Sequence, residues 1–442
     1  MITVLLDKAE FEYDIHSLVK AFYPKEEVYV STKDKEKKEE PVHYHMDVQF
    51  APEEIIFSWK RVEASEDNAN QNGITKCVAV DYTNRKETKN SLKRTLYRLL
   101  SEYTGVELPW GNLTGIRPTK IPMALLEEGK SEEEIARYMK ETYFTSDEKI
   151  KLSIEIAERE LELLHKLDYE EGYSLYIGIP FCPTTCLYCS FTSYSMSAWK
   201  NRMDDYLSAL EKELDYTAVK FAHKKLNSIY IGGGTPTTLN PKQLDRLIRK
   251  IKCSFDLSDL VEFTVEAGRP DSITKEKLMV LRNHDISRIS INPQSMQQKT
   301  LDVIGRKHTV EEIKEAYALA RKTGFDNINM DIIAGLPGED ISDMEDTLAQ
   351  IAQMHPDSLT VHSLAIKRAA RMEMEDLNRD AKETHEILSG MIERAAKAAK
   401  EMDLFPYYLY RQKNIAGNFE NVGYAKVDKA GIYNILIMEE KQ

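Results

Sequence analysis

Tyr176-Ile177-Gly178-Ile179-Pro180-Phe181-Cys182-Pro183-Thr184-Thr185-Cys186-Leu187-Tyr188-Cys189-Ser190-Phe191 runs from an apolar strand into a short loop with three thiols at CxxxCxxC spacing. A loop of that length at a strand's end can curl three thiolates around one cubane. Sulfur ligands suit iron-sulfur clusters, and three protein ligands leave the fourth iron open. Structural zinc is the competing reading, but it wants four protein ligands, usually in paired motifs, and no second pair stands at a matching spacing. Cys77 and Cys253 are isolated and read as small buried residues.

Outward from this loop the chain alternates short apolar strands with longer amphipathic stretches, the mark of repeated βα units and a parallel sheet. Strands are expected at 174–179, 228–231, 261–266, 288–291, 328–333 and 358–361, with helices at 199–223, 241–251, 274–283, 310–323 and 341–354. Six consecutive units predict an α/β domain over 171–365, an open partial (β/α)6 barrel whose ligands collect at the carboxyl ends of its strands. The second strand ends in Gly232-Gly233-Gly234-Thr235-Pro236-Thr237, the third at Glu266, and the fourth leads into Asn292-Pro293-Gln294-Ser295. The fifth carries Asp331-Ile332-Ile333-Ala334-Gly335-Leu336-Pro337-Gly338. Polar groups at successive strand ends converge on one mouth. Taken singly, a glycine run is a tight turn or a close backbone approach, and a lone strand-end carboxylate is a helix cap or a solvated charge.

Residues 1–170 read as a separate α+β domain, with strands expected at 2–6, 27–30, 45–50, 55–59 and 77–82. The charged segment 33–40 and the polar segment 65–73 read as solvated hairpin loops, and a mainly helical stretch over 86–167 is broken by a loop at 108–118. After residue 361 a helical stretch runs to about 402, followed by Tyr407-Tyr408-Leu409-Tyr410 and a final apolar strand at 433–438; 366–442 thus forms a C-terminal helical and strand extension. The formal net charge of -13 argues against a general polyanion-binding surface, so nucleic acid is not an expected partner. The apolar start meets Asp7 too soon for a signal peptide, and no run approaches membrane-spanning length. Five cysteines in 442 residues do not look like a disulfide framework, which makes a reducing cytoplasm the expected compartment.

In this order the motifs resemble the radical S-adenosylmethionine (SAM) superfamily, and within it the oxygen-independent coproporphyrinogen III oxidase branch and its HemZ subgroup. The likeness covers about residues 176–357, and the loop 108–118 resembles that subgroup's front domain. It implies a 4Fe-4S cluster on Cys182, Cys186 and Cys189, with SAM chelating the open iron. It also implies SAM contacts at Gly233, Gly234, Thr235, Glu266, Gln294, Arg306 and Asp331, with Tyr176 beside the cofactor and Ile333 near adenine. The implied reaction is reductive cleavage of SAM, removal of hydrogen from a propionate of coproporphyrinogen III, and loss of carbon dioxide to leave a vinyl group in haem biosynthesis. A flavodoxin or ferredoxin is the implied electron donor.

A tetrapyrrole with several carboxylates needs cationic donors near the mouth. Arg117, Lys120, Lys367 and Arg368 are the candidates, although the residues alone read as surface charge. Phe191 stands where the branch's oxidases carry a further cysteine, as in the haem-chaperone branch, and Gly178 where both branches carry histidine. A cluster-containing haem chaperone, or a radical enzyme acting on haem or another tetrapyrrole, therefore stands beside the oxidase reading. His284, His308, His355 and His362 are the histidines to consider as haem ligands. Ending at Gln442, the chain is expected to be truncated and to lack part of the substrate cap.

Overall fold

A computed structural model describes the chain except for residues 33–41, 63–72, 116, 192, 366–369, 373–380 and 412–418. The two expected hairpin loops lie outside the described residues but for Gly73, and so do Lys367 and Arg368. The rest falls into two compact units, one built on Met1–Ile154 with short returns around His385 and Arg411, the other on Glu155–Asn378, Glu386–Tyr410 and Glu420–Gln442.

In the first unit β1 (Ile2–Leu6), α1 (Glu12–Phe22) and β2 (Val28–Thr32) make a parallel βαβ turn. Then β3 (Tyr44–Phe50), β4 (Glu54–Arg61) and β5 (Ile74–Ala79) continue the sheet in the order β2-β1-β3-β4-β5. Side chains alternate across a strand, so Ile2, Val4 and Leu6, Met46, Val48 and Phe50, and Ile55, Phe57 and Trp59 all enter one core. Leu92 and Leu96 of α2 (Arg85–Thr104) close it. The fifth strand lies three residues earlier than expected because Asp81 accepts the N–H of Thr83 and Asn84 caps α2 through the N–H of Glu87, which turns the chain before Tyr82. Cys77 is exposed on the outer face of β5, so its expected burial is corrected. Three helices follow: α3 (Lys120–Glu127), α4 (Glu132–Tyr143) and α5 (Asp147–Leu164).

The second unit opens with β6 (Gly172–Ile179), the two-residue pair β7 (Phe181–Cys182) and β8 (Tyr194–Ser195), α6 (Met196–Trp199) and α7 (Met203–Lys220). The βα rhythm continues through β9 (Lys225–Gly233), α8 (Pro241–Ser254), β10 (Glu262–Glu266), α9 (Lys275–Asn283), β11 (Arg288–Ser290), α10 (Gln298–Val303), α11 (Val310–Thr323), β12 (Ile328–Ala334), α12 (Ile341–Met354) and β13 (Ser358–Ser363). The chain ends with α13 (Ala381–Glu401), β14 (Phe405–Tyr410), β15 (Asn421–Ala425) and α14 (Ile432–Met438). Strands β6, β9, β10, β11, β12 and β13 pair in parallel and in chain order, as the expected partial barrel requires. Strand β15 joins β13 antiparallel and β14 joins β15, which makes a curled sheet of eight strands.

Register sets the two faces apart. Leu175, Ile177, Ile229, Ile231, Phe263, Val265, Ile289, Met330, Ile332, Leu359 and Val361 are buried, each contributing about 1.5–3 kcal/mol. Their neighbours of opposite parity are mostly polar, and cross-strand pairs such as Tyr176–Tyr230, Thr264–Arg288, Asp331–Thr360 and Ile333–His362 put them on the same, concave face. Arg159, in the part of α5 that belongs to the second unit, donates to the carbonyls of Phe405, Pro406, Ala425 and Lys426 at that unit's antiparallel strands.

The expected strand at 433–438 is a helix. An unbroken apolar run has no period to distinguish the two, and the Glu262 carboxylate accepts the N–H groups of Ile432 and Tyr433, which leaves the first turn satisfied. Cys253, in the last turn of α8, is exposed rather than buried.

Candidate active site

Strand β6 delivers the cysteine loop to the carboxyl end of the sheet. There the N–H of Gly234 donates to Ile179 O and that of Thr235 to Phe181 O, both at 2.8 Å. A Cβ on Gly234 would stand 2.7 Å from Phe181 O and 2.9 Å from Ile179 O, and Gly233 takes φ 106°. The glycine run therefore has a need of its own for small residues, because the end of β9 is laced to the start of the loop. Thr235 Oγ1 also reaches Cys182 Sγ at 3.5 Å.

Cys182, Cys186 and Cys189 are free thiols, Cys186 buried and the others half-buried. Burial pushes Cys182 and Cys189 up. Donors nevertheless face two of the sulfurs: the Thr235 hydroxyl lies against Cys182, and an Arg269 N–H lies 3.7 Å from Cys186 Sγ. Among the described residues no three His, Cys, Asp or Glu side chains are gathered to cation-binding distance. Free thiols with hydrogen-bond donors aimed at them form a donor set that fits an iron-sulfur cluster.

Three of the strand-end residues line the concave mouth from neighbouring strands. Glu266 accepts from the Tyr230 hydroxyl at 2.6 Å, and burial pushes its carboxyl up to about 7. Asp331 is also deeply set, but His362 and Asn329 hold its carboxyl below the ordinary value against the pull of burial; Asn329 donates to it at 2.6 Å. Gln294 takes φ 67°, a left-handed conformation costly for a residue with a Cβ. It persists because the Gln294 N–H donates to Asp331 O and the Ile333 N–H to Gln294 O, each at 2.9 Å.

Arg306 is buried, donating to Asn292 O and reaching Tyr188 Oη at 3.5 Å. Tyr176 is half-exposed and stacks on Tyr230 and Tyr433 at 5.9 and 6.1 Å. Tyr230 sits two residues before Gly232 on the same face, so strand alternation could have found it. Tyr433 arrives from α14, and no local signal pointed to it.

The four histidines part company. His284 pairs with Asp245 at 2.8 Å, and His355 closes α12 in the left-handed region. His308 is buried and pushed down to about 4, chiefly by that burial. His362 alone of the four lies on the concave face, with Nε2 3.8 Å from Asp331 and Nδ1 3.3 Å from Tyr410 Oη. Arg117 and Lys120 belong to the first unit. No described helix is long and apolar enough to cross a membrane.

The sequence profile of the Radical SAM superfamily matches residues 176–351. The oxygen-independent coproporphyrinogen-III oxidase-like protein HemZ of Bacillus subtilis is 45% identical over 375 residues, covering 83% of this chain and 75% of that protein. The heme chaperone HemW of the same organism is 37% identical over 198 residues, 44% of this chain and 51% of that one. The solved structure of Escherichia coli coproporphyrinogen III oxidase HemN, described as a radical SAM enzyme, shares the fold with TM-score 0.50 and 24% identity, over 63% of this chain and 61% of that one.

Proposed function

Because the chain belongs to the radical SAM family, among the HemZ-like relatives of oxygen-independent coproporphyrinogen-III oxidase, we propose that it oxidatively decarboxylates propionates of coproporphyrinogen III to vinyl groups. Each propionate gives a hydrogen atom to the 5′-deoxyadenosyl radical, releases carbon dioxide and passes its remaining electron to a one-electron acceptor. The family's cofactors, a 4Fe-4S cluster and SAM, are those of this chain. When bound they supply one-electron cleavage of the sulfonium, which gives methionine and a hydrogen-abstracting 5′-deoxyadenosyl radical.

In this reading Cys182, Cys186 and Cys189 hold the cluster, and Gly233, Gly234, Thr235, Glu266, Gln294, Arg306 and Asp331 bind and orient SAM at the strand ends. Tyr176 and Ile333 flank it, and the stacked rings of Tyr176, Tyr230 and Tyr433 exclude water from one side of the mouth. A flavodoxin or ferredoxin in a reducing cytoplasm supplies the electron. The observation that supports the tetrapyrrole substrate is the 45% identity to the HemZ protein over three quarters of its length.

Anaerobically reconstituted protein, given coproporphyrinogen III, SAM and a reductant, is expected to lose carbon dioxide from propionates by mass spectrometry and to release deoxyadenosine only when the porphyrinogen is present. Changing any one of Cys182, Cys186 and Cys189 to Ser should abolish both signals. SAM cleavage without a vinyl product would count against the oxidase.

A haem chaperone is the second reading, favoured by the 37% identity to HemW and by Phe191, exposed beside the thiol loop. It predicts a stable haem complex and no vinyl product from the same incubations.

A further inference from the structure

Arg269 follows the end of β10 and precedes the short turn Pro270–Ser272. Its side chain is 5% exposed, and all five guanidinium N–H donors find acceptors. Nε and one Nη2 N–H fork onto the Asp271 carboxylate at 3.0 and 2.7 Å. The other edge of the plane meets the cysteine loop: Nη2 reaches Thr184 Oγ1 at 3.1 Å, and Nη1 reaches Thr184 O at 3.2 Å and Cys186 Sγ at 3.7 Å.

The loop is gripped from its other side as well, where Thr184 Oγ1 donates to Gly305 O at 3.3 Å and the Leu187 N–H to Ile304 O at 3.0 Å. A buried arginine with one carboxylate is ordinarily a structural ion pair. Here the carboxylate takes one edge of the fork, and the other is turned onto the segment between the first two thiols.

We propose that Arg269 is a positioning residue for the iron-sulfur cluster, fixing Thr184 to Cys186 in place and donating an N–H to a ligand sulfur so that the cluster is easier to reduce. The inference rests on the reading that the three thiols hold that cluster. Its physical basis is that reduction adds negative charge to the cluster and its sulfurs, and a hydrogen bond with a nearby cation favours the more negative state. Lysine would keep the charge but not the planar fork that reaches Asp271, Thr184 and Cys186 together.

The test is iron and sulfide analysis with a redox titration, followed by electron paramagnetic resonance, on the reconstituted full chain and its Arg269→Gln, Arg269→Lys and Asp271→Asn variants. Arg269→Gln is expected to shift the midpoint to more negative potential and Arg269→Lys to shift it less in the same direction. Asp271→Asn, which strips Arg269 of its nearest counter-charge, should shift it the opposite way. A loaded Arg269→Gln cluster whose midpoint is unmoved or more positive overturns the proposal. Should that variant fail to load, unmoved midpoints in both remaining variants overturn it equally. Failure of the unsubstituted protein to take up iron and sulfide, or full loading of Cys186→Ser, would instead sink the underlying cluster assignment, and neither resembles a loaded cluster with an unmoved potential.

Discussion

Glu266 and Asp331 face the same mouth, and their surroundings drive them apart. Burial raises Glu266 to about 7 from an ordinary 4.5, while His362 and Asn329 keep Asp331 below its ordinary value. Such separation between neighbouring carboxyls is the pattern of a working site. It also fixes a sign. Folded Glu266 binds its proton more tightly than the unfolded chain does, so its own contribution to stability is fully present below about pH 4.5 and is lost as the pH rises through 7. Glu266→Gln removes the cost of burying the charge without changing the shape. We expect urea melts of the cluster-free variant to show a gain of about 1–3 kcal/mol at pH 8, shrinking to nothing near pH 4.5. SAM binding by the loaded variant should weaken. Stability and ligand affinity would then move in opposite directions, as they do where a site keeps a strained group for its function. Equal melts at pH 8 would show that Glu266 is not held protonated by the fold.

At the level of elements, the glycine run and the cysteine loop form one joint, since β9 and β6 meet through Gly234 and Thr235. A methyl on Gly234 would strike two backbone carbonyls that have nowhere to go, whereas one on Gly178 would meet only the Tyr176 ring at 3.6 Å. Gly234→Ala should therefore lower the melting midpoint, with a cost of about 1–3 kcal/mol, and reduce iron loading, while Gly178→Ala changes neither. Comparable loading in the two would mean the joint is not needed. The sequence showed that glycines stood there but not why, because the clash is with atoms some fifty positions away. The same gap explains the helix found at Ile432–Met438, whose first turn is settled by Glu262, a residue 170 positions earlier. The six parallel strands were legible because period-two alternation and intervening amphipathic helices are local signals. The antiparallel joining of β14 and β15 was not, since it depends on fits such as the Tyr408 ring over Gly423, to which no short window points.

Across the second unit the curled sheet separates two kinds of work. One parity along its strands is apolar and buried, as in Ile231, Ile289 and Ile332; the other gives Glu266, Asp331 and His362 to the concave face. Strand ends marked the positions of Glu266 and Asp331 in the sequence because each lies on its own strand, whereas Gln294 lies beyond β11 and is held by β12; the SAM roles of all three came from the resemblance. Arg269 had no such mark, lying beyond the strand in a turn where an arginine ordinarily reads as surface charge. If the division holds, substitutions on the two faces should fail in different assays. Ile231→Ala and Ile289→Ala remove fully buried side chains and should each cost about 2–5 kcal/mol, with the spectrum of the loaded cluster and the affinity for SAM unchanged in the fraction that remains folded. Asp331→Asn removes a carboxylate that His362 and Asn329 hold ionised in the folded state, so it should lower the melting midpoint at neutral pH, by less than either isoleucine change, while weakening SAM binding by roughly tenfold or more, the worth of a charge-assisted hydrogen bond. Calorimetric melts and equilibrium SAM titration of the three variants test both halves together. An Ile231→Ala protein that melts normally yet binds SAM poorly would mean that the buried face transmits to the site, and the separation of stability from chemistry would not hold.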